Sequence, residues 1–124
     1  CSSDTCDSIA GCIHNPASGF SGAFCYLDLL GTIIGTADGN LIQGKRQPLR
    51  LAGIIARARQ SLEKAQANSG ALSNSLLRIT NRKLVNFTRR VQQGDHRFRI
   101  NHALAVRLLE LASRAQLSLP TPTP

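Results

Sequence analysis

Between Phe20 and Ile42 the chain carries no Lys, Arg, Glu or His, and only two charges, Asp28 and Asp38. Its apolar residues do not keep to one helical face. A helix that is apolar all round belongs at the centre of a bundle or in a membrane. Residues 20–38 are therefore expected to form a first helix around which the rest is organised. The run Phe20–Ala37 is 18 residues long. That length is at the bottom of the range for crossing a bilayer, and Asp28 near its middle favours a buried helix over a permanent span. Gly31, Gly35 and Gly39 recur every four residues and lay a strip of small residues along the helix. Such a strip allows close packing in a bundle, or helix association on conditional insertion into lipid. Each glycine costs about 1 kcal/mol in helix propensity.

Three amphipathic segments follow. Residues 48–67 place Leu51, Ile54, Ile55, Ala58, Leu62 and Ala65 at three- and four-residue steps, with Pro48 suited to a first helical turn and Asn68-Ser69-Gly70 as the stop. Residues 72–93 line Leu76, Leu77, Ile79, Leu84, Phe87 and Val91 on one side, with Ser73 or Asn74 as the cap and Gln93-Gly94-Asp95 as the break. Residues 102–117 follow Asn101, a good N-cap, with Leu104, Leu108, Leu109, Leu111, Ala112 and Ala115 turned inward. His96–Ile100 alternates but is too short to read as a strand. These segments predict one all-α domain over residues 1–119: a small four-helix bundle with a central apolar helix and a disulfide-stapled irregular N-terminal segment. A Pro/Thr tail at 120–124 is expected to be disordered. Residues 1–19, rich in Ser, Asp and Cys, read as loop with one helical turn near Asp7–Cys12.

All four cysteines, Cys1, Cys6, Cys12 and Cys25, lie in this first quarter. An even number in a short chain points to two disulfides with three alternative pairings, and to an oxidising, secreted setting. Zinc is the competing reading of Cys12-Ile13-His14, but the spacing lacks a paired Cys-x-x-Cys knuckle, so no metal or other cofactor is expected. A start at Cys1 rather than Met implies removal of a preceding segment, by processing or by design. A lipidated Cys1 would make a periplasmic or outer-membrane lipoprotein, but would leave one thiol unpaired.

Charge divides the chain in two. Residues 1–44 carry −4 and residues 45–124 carry +12, for the net +8. Lys45 and Arg46 stand at the switch, an exposed dibasic pair suited to proteolytic processing. The third segment is the most basic, with Arg78, Arg82, Lys83, Arg89 and Arg90 and no acid among them. Such an asymmetry calls for an anionic partner: an acidic cell surface or lipid, an acidic protein, or nucleic acid. Catalytic motifs are absent, and Asp28 and Asp38 are too far apart along one helix to act as an acid/base pair. Disulfides weigh against the nucleic-acid module, because they place the protein outside cytosol and nucleus. The reading that uses all features is a secreted, non-enzymatic helical protein acting at an anionic cell surface, of the cytotoxin or effector type. A nucleic-acid-binding module and a periplasmic helical adaptor are the alternatives. Target and oligomeric state are not encoded in any motif.

Overall fold

The structure, a computed structural model, describes residues 2–7, 11–16, 19–37, 42–44 and 46–120, the first two stretches as backbone. The body of the molecule is an all-α four-helix bundle: α1 (Gly19–Thr36), α2 (Arg46–Ala67), α3 (Gly70–His96) and α4 (His102–Ser118). The segment before it is not irregular over its described residues, and the centre of the helical turn expected near Asp7–Cys12, residues 8–10, lies outside them. Its strands β1 (Ser2–Asp7) and β2 (Gly11–Pro16) pair antiparallel, with Ser2 opposite Pro16 and Cys6 opposite Cys12. No apolar alternation announces these strands, so their backbone pairing has no counterpart in the hydropathy pattern.

The helices pack as a ring, α1 on α2, α2 on α3, α3 on α4 and α4 back on α1, and neither diagonal pair shares a comparable interface. Short connections between antiparallel neighbours give this arrangement. The α2–α3 turn has only Asn68 and Ser69 between helices, and Gly70 opens α3 in the left-handed region at φ 66°. Glycine takes that conformation without a Cβ penalty.

The expected central position of α1 is corrected: α1 is one wall of four. Gly22, Ala23, Tyr26, Leu27, Leu30 and Ile34 are buried, while Ser21, Asp28, Thr32, Gly35 and Thr36 face solvent. Positions 21, 28, 32 and 35 fall at seven-, four- and three-residue steps and share one face. The stripe escapes a hydropathy reading because threonine and glycine are nearly neutral. Thr32 and Thr36 also donate their hydroxyls back to the carbonyls of Asp28 and Thr32, at 2.9 and 2.8 Å. Asp28 is accommodated by pairing across the helix interface. It accepts from Arg59 of α2 at 2.8 Å, Arg59 also reaches Glu63, and its guanidinium lies 5.0 Å from the centre of the Phe24 ring. The hydrogen bond to Asp28, then the nearby negative charges, hold the Arg59 proton more tightly than in an ordinary arginine. A raised value means that this stabilisation is complete below the ordinary arginine range and is lost only as pH climbs through the folded value.

In α2 the buried residues are Leu51, Ile54, Ile55, Ala58, Leu62 and Ala65, as the spacing predicts. In α3 the inward set is Leu77, Thr80, Leu84, Phe87, Val91 and Gly94, while Leu76 is half-buried and Ile79 is exposed. Thr80 is tolerated in the core because its hydroxyl donates to the Leu76 carbonyl at 2.9 Å. Ser73 does not cap α3. Its hydroxyl crosses to the Ala65 carbonyl at 2.8 Å and fastens the start of α3 to the end of α2. Asn101 caps α4 as expected, accepting from the Leu104 amide at 3.2 Å.

α3 also runs past the expected break. Gly94 lies inside the helix, buried, and a Cβ there would stand 2.5 Å from Cδ1 and 2.8 Å from Cγ1 of Ile100. Ile100 in turn bridges Ile42, and the Gln43 amide donates to the Arg99 carbonyl at 2.8 Å. Gly94 is thus a site of close approach, where the α3–α4 turn folds back over the end of α3.

Candidate functional site

Arginine spacing on α3 decides which surface the cations make. Arg78, Arg82 and Arg89 differ by four and seven residues, so they fall within about 40° of one another around the helix. All three are exposed. Lys83 and Arg90, seven apart, form a second row roughly 100° further round, and both are half-buried. The Nε of Arg90 is buried without a hydrogen-bond partner. The five predicted cations therefore make two rows on one helix, with Val85 between Arg82 and Arg89 in the first.

Apolar surface accompanies the first row. Arg78, Arg82 and Val85 line a groove of about 700 Å³ with Leu77 of α3 and Leu117 and Leu119 from the end of α4. Leu117 is 84% exposed at its rim. Gln116 donates to Asn81 at 3.0 Å across the two helices. A smaller depression of about 330 Å³ continues along α3 between Ile79, Arg82, Val85 and Arg89. Asn86 of the Asn86-Phe87-Thr88 sequon is exposed here, but its neighbour Phe87 is fully buried.

The electrostatics are one-sided. Of the acids whose side chains are described, Asp28 and Glu63 hold Arg59, Glu110 meets Arg114 and Asp95 lies against the His102 ring. None of these pairs involves Arg78, Arg82, Lys83, Arg89 or Arg90. Among the described residues the exposed row of Arg78, Arg82 and Arg89 has no acid partner, and its positive charge attracts anions at a range set by the ionic strength.

The other sequence candidates are placed as follows. Gly31 is half-buried and Gly35 exposed, and a Cβ at either would meet open space, so neither glycine serves close helix packing in this fold; Gly39 lies outside the described residues. Gly31 instead borders a groove of about 450 Å³ with Ala52, Ala56 and Arg59 of α2. α1 is long and apolar enough to cross a membrane, at 18 residues and mean hydropathy 1.2, with a third of it buried. Arg46 opens α2 and is exposed, so a cut after it would fall in helical backbone, while Lys45 lies outside the described residues. Cys25 is half-buried on α1 and disulfide-bonded. Cys1 lies outside the described residues, and Cys6 and Cys12 are described as strand backbone. The tail at 121–124 is likewise outside.

For catalysis the described residues bring together one His–carboxylate pair. His102 Nδ1 lies 3.0 Å from Asp95 at the start of α4. The small depression beside it is lined by Phe98, Arg99, Ile100 and Asn101 and offers no hydroxyl or thiol for such a pair to activate. No group of three or more His, Cys, Asp or Glu converges among the described residues.

Sequence reasoning passed over the turn between α3 and α4. Phe98 there has a positive φ of 58° and is 88% exposed, with Arg97 and Arg99 exposed on either side. The available signal was an aromatic residue between two arginines in a connection that needs polar residues.

Comparison with known proteins adds no family: no family model matches the chain, and neither the curated proteins nor the solved structures provide a match.

Proposed function

We propose that this is a small secreted, basic, non-enzymatic helical protein that acts at an anionic cell surface, as a cytotoxin or effector. The observation that carries the reading is the pair of cation rows on α3, without an acid partner among the described residues, while Asp28, Glu63, Asp95 and Glu110 are engaged elsewhere. Arginines interleaved with Ile79, Val85 and Leu117 suit a surface of acidic headgroups, where each cation near the surface contributes about 1 kcal/mol. In this reading α1 stays in the bundle, tied to α2 through Asp28 and Arg59, and binding belongs to α3.

Disulfides fit an extracellular setting. The antiparallel register sets Cys6 opposite Cys12, and directly opposed strand positions lie within the Cα separation that a disulfide spans. With Cys25 also bonded, we propose the pairing Cys6–Cys12 and Cys1–Cys25, which would staple the hairpin to α1. Peptide mapping without reduction is expected to recover these two linked pairs; Cys25 joined to Cys6 or Cys12 would overturn the pairing.

The function is tested by sedimentation with vesicles. Binding to phosphatidylglycerol vesicles, weakened by salt and absent on phosphatidylcholine, is the expected result. The double variant Arg82→Glu, Arg89→Glu should lose at least about tenfold in affinity while keeping its helical circular dichroism. Unchanged affinity would remove α3 from the interface. Tighter binding to duplex DNA than to vesicles at the same salt would favour a nucleic-acid module instead.

A further inference from the structure

The end of α3 closes with a backbone pattern that ordinarily selects glycine. The Arg99 amide donates to the Gly94 carbonyl at 2.8 Å, and the Phe98 amide donates to the Asp95 carbonyl at 3.1 Å. With Arg97 as the C-cap, these two bonds make a Schellman motif, and Phe98 occupies its left-handed position at φ 58°. That position usually holds glycine, because a Cβ there meets the following carbonyl. A large side chain in left-handed backbone is tolerated where its burial compensates, yet Phe98 is 88% exposed. Among the described residues no burial of the ring offsets the strain. Backbone strain held at an exposed site marks a functional position.

The surroundings indicate what the ring meets. Arg97 and Arg99 flank it, both exposed. The start of α2 lies at the same end of the bundle: Gln47 approaches Gly94, and Ile42 bridges Ile100. α2 adds Arg46, Arg50 and Leu49, which is 73% exposed, and the first turns of α4 add Arg107 and Val106, which is 50% exposed. The acid described here, Asp95, is engaged by His102. Among the described residues, this end therefore combines arginines that have no acid partner with protruding apolar side chains. The depression that Phe98 lines with Arg99, Ile100 and Asn101 is small, and the ring stands largely clear of it.

The geometry points to the Arg97-Phe98-Arg99 turn as an interfacial anchor for an anionic phospholipid bilayer. Phe98 enters the boundary between headgroups and acyl chains, and Arg97 and Arg99 hold the phosphates beside it. Aromatic rings favour that depth, and arginines give bidentate contacts to phosphate. The anchor rests on the anionic-surface reading and deepens it, because it assigns insertion to a turn at the bundle end and not to α1.

The chain contains no Trp, so Phe98→Trp supplies a single reporter in the full protein. On phosphatidylglycerol vesicles its emission is expected to shift to the blue and become protected from aqueous quenchers, with no change on phosphatidylcholine. Phe98→Gly is expected to weaken binding to phosphatidylglycerol vesicles roughly 10- to 100-fold while raising Tm by about 2–6 °C as the backbone strain is relieved. If the Phe98→Trp variant binds as tightly as wild type but its emission does not shift, the anchor is overturned and the anionic-surface reading stands. Absence of wild-type binding at low salt would overturn both. A lower Tm for Phe98→Gly would make Phe98 a structural residue and also overturn the anchor.

Discussion

Gly94→Val is expected to cost about 1–3 kcal/mol of stability, as overpacking of a filled site does. A Cβ at position 94 would lie 2.5 Å from Cδ1 and 2.8 Å from Cγ1 of Ile100. Ile100 has no free direction to yield, since it is 3% exposed and paired with Ile42. The Gly94 carbonyl also accepts from the amides of both Arg99 and Ile100, at 2.8 and 3.3 Å. A shift of α3 that made room for the side chain would loosen the turn that presents Phe98. Valine recovers only about half a kcal/mol in helix propensity over glycine, so the steric term dominates. Thermal unfolding followed by circular dichroism should show Tm lower by roughly 3–15 °C. A Tm equal to or above wild type would mean that Ile100 is not held where the structure places it.

The same substitution type has the opposite sign on α1. Gly31→Ala with Gly35→Ala is expected to stabilise the protein by roughly 1–2 kcal/mol, the sum of two helix-propensity gains. Neither glycine has a positive φ, and a Cβ at either has no atom within 4 Å to meet. Part of the gain comes from the unfolded chain, which loses backbone freedom at both positions. Chemical denaturation should show a higher midpoint with an unchanged slope. A loss of stability would show that the strip contacts something in solution, as a GxxxG dimer interface would. The contrast separates glycines placed for proximity from glycines that merely interrupt a helix. Gly94 reads in the sequence as the interruption and Gly31 as the packing site; the structure reverses both roles.

That reversal shows where the fold was legible. The inward face of α2, and most of the inward faces of α3 and α4, follow from three- and four-residue spacing because Leu, Ile and Val contrast strongly with Arg, Lys and Gln. The six positions expected inside α2 are the six buried ones. α1 was harder because its solvent face is built from Ser21, Asp28, Thr32 and Gly35, residues too weak in hydropathy to define a stripe. The β1–β2 pairing depends on backbone hydrogen bonds that Ser, Asp and Thr make as readily as apolar residues, so no period-two signal appears. Among the α3 cations, spacing alone separates Arg78, Arg82 and Arg89 from Lys83 and Arg90. Their lack of acid partners among the described residues was not legible, because Asp28 reaches Arg59 only through the packing of α1 on α2. Phe98 was missed for a related reason: its importance lies in a dihedral angle at a helix terminus, which a side-chain pattern does not encode.

The ring of helices also orders events in time. α2 and α3 meet across a two-residue connection, whereas α1 and α4 meet only when the two ends of the bundle come together. Closing a long loop costs more chain entropy than closing a short one, so the α2–α3 hairpin is the natural nucleus and the α1–α4 seam forms last. Interactions absent from the transition state act on the rate of opening and leave the rate of folding nearly unchanged. Changes in α1 should accordingly alter how long a folded molecule persists, and changes in the α2–α3 interface how quickly it forms.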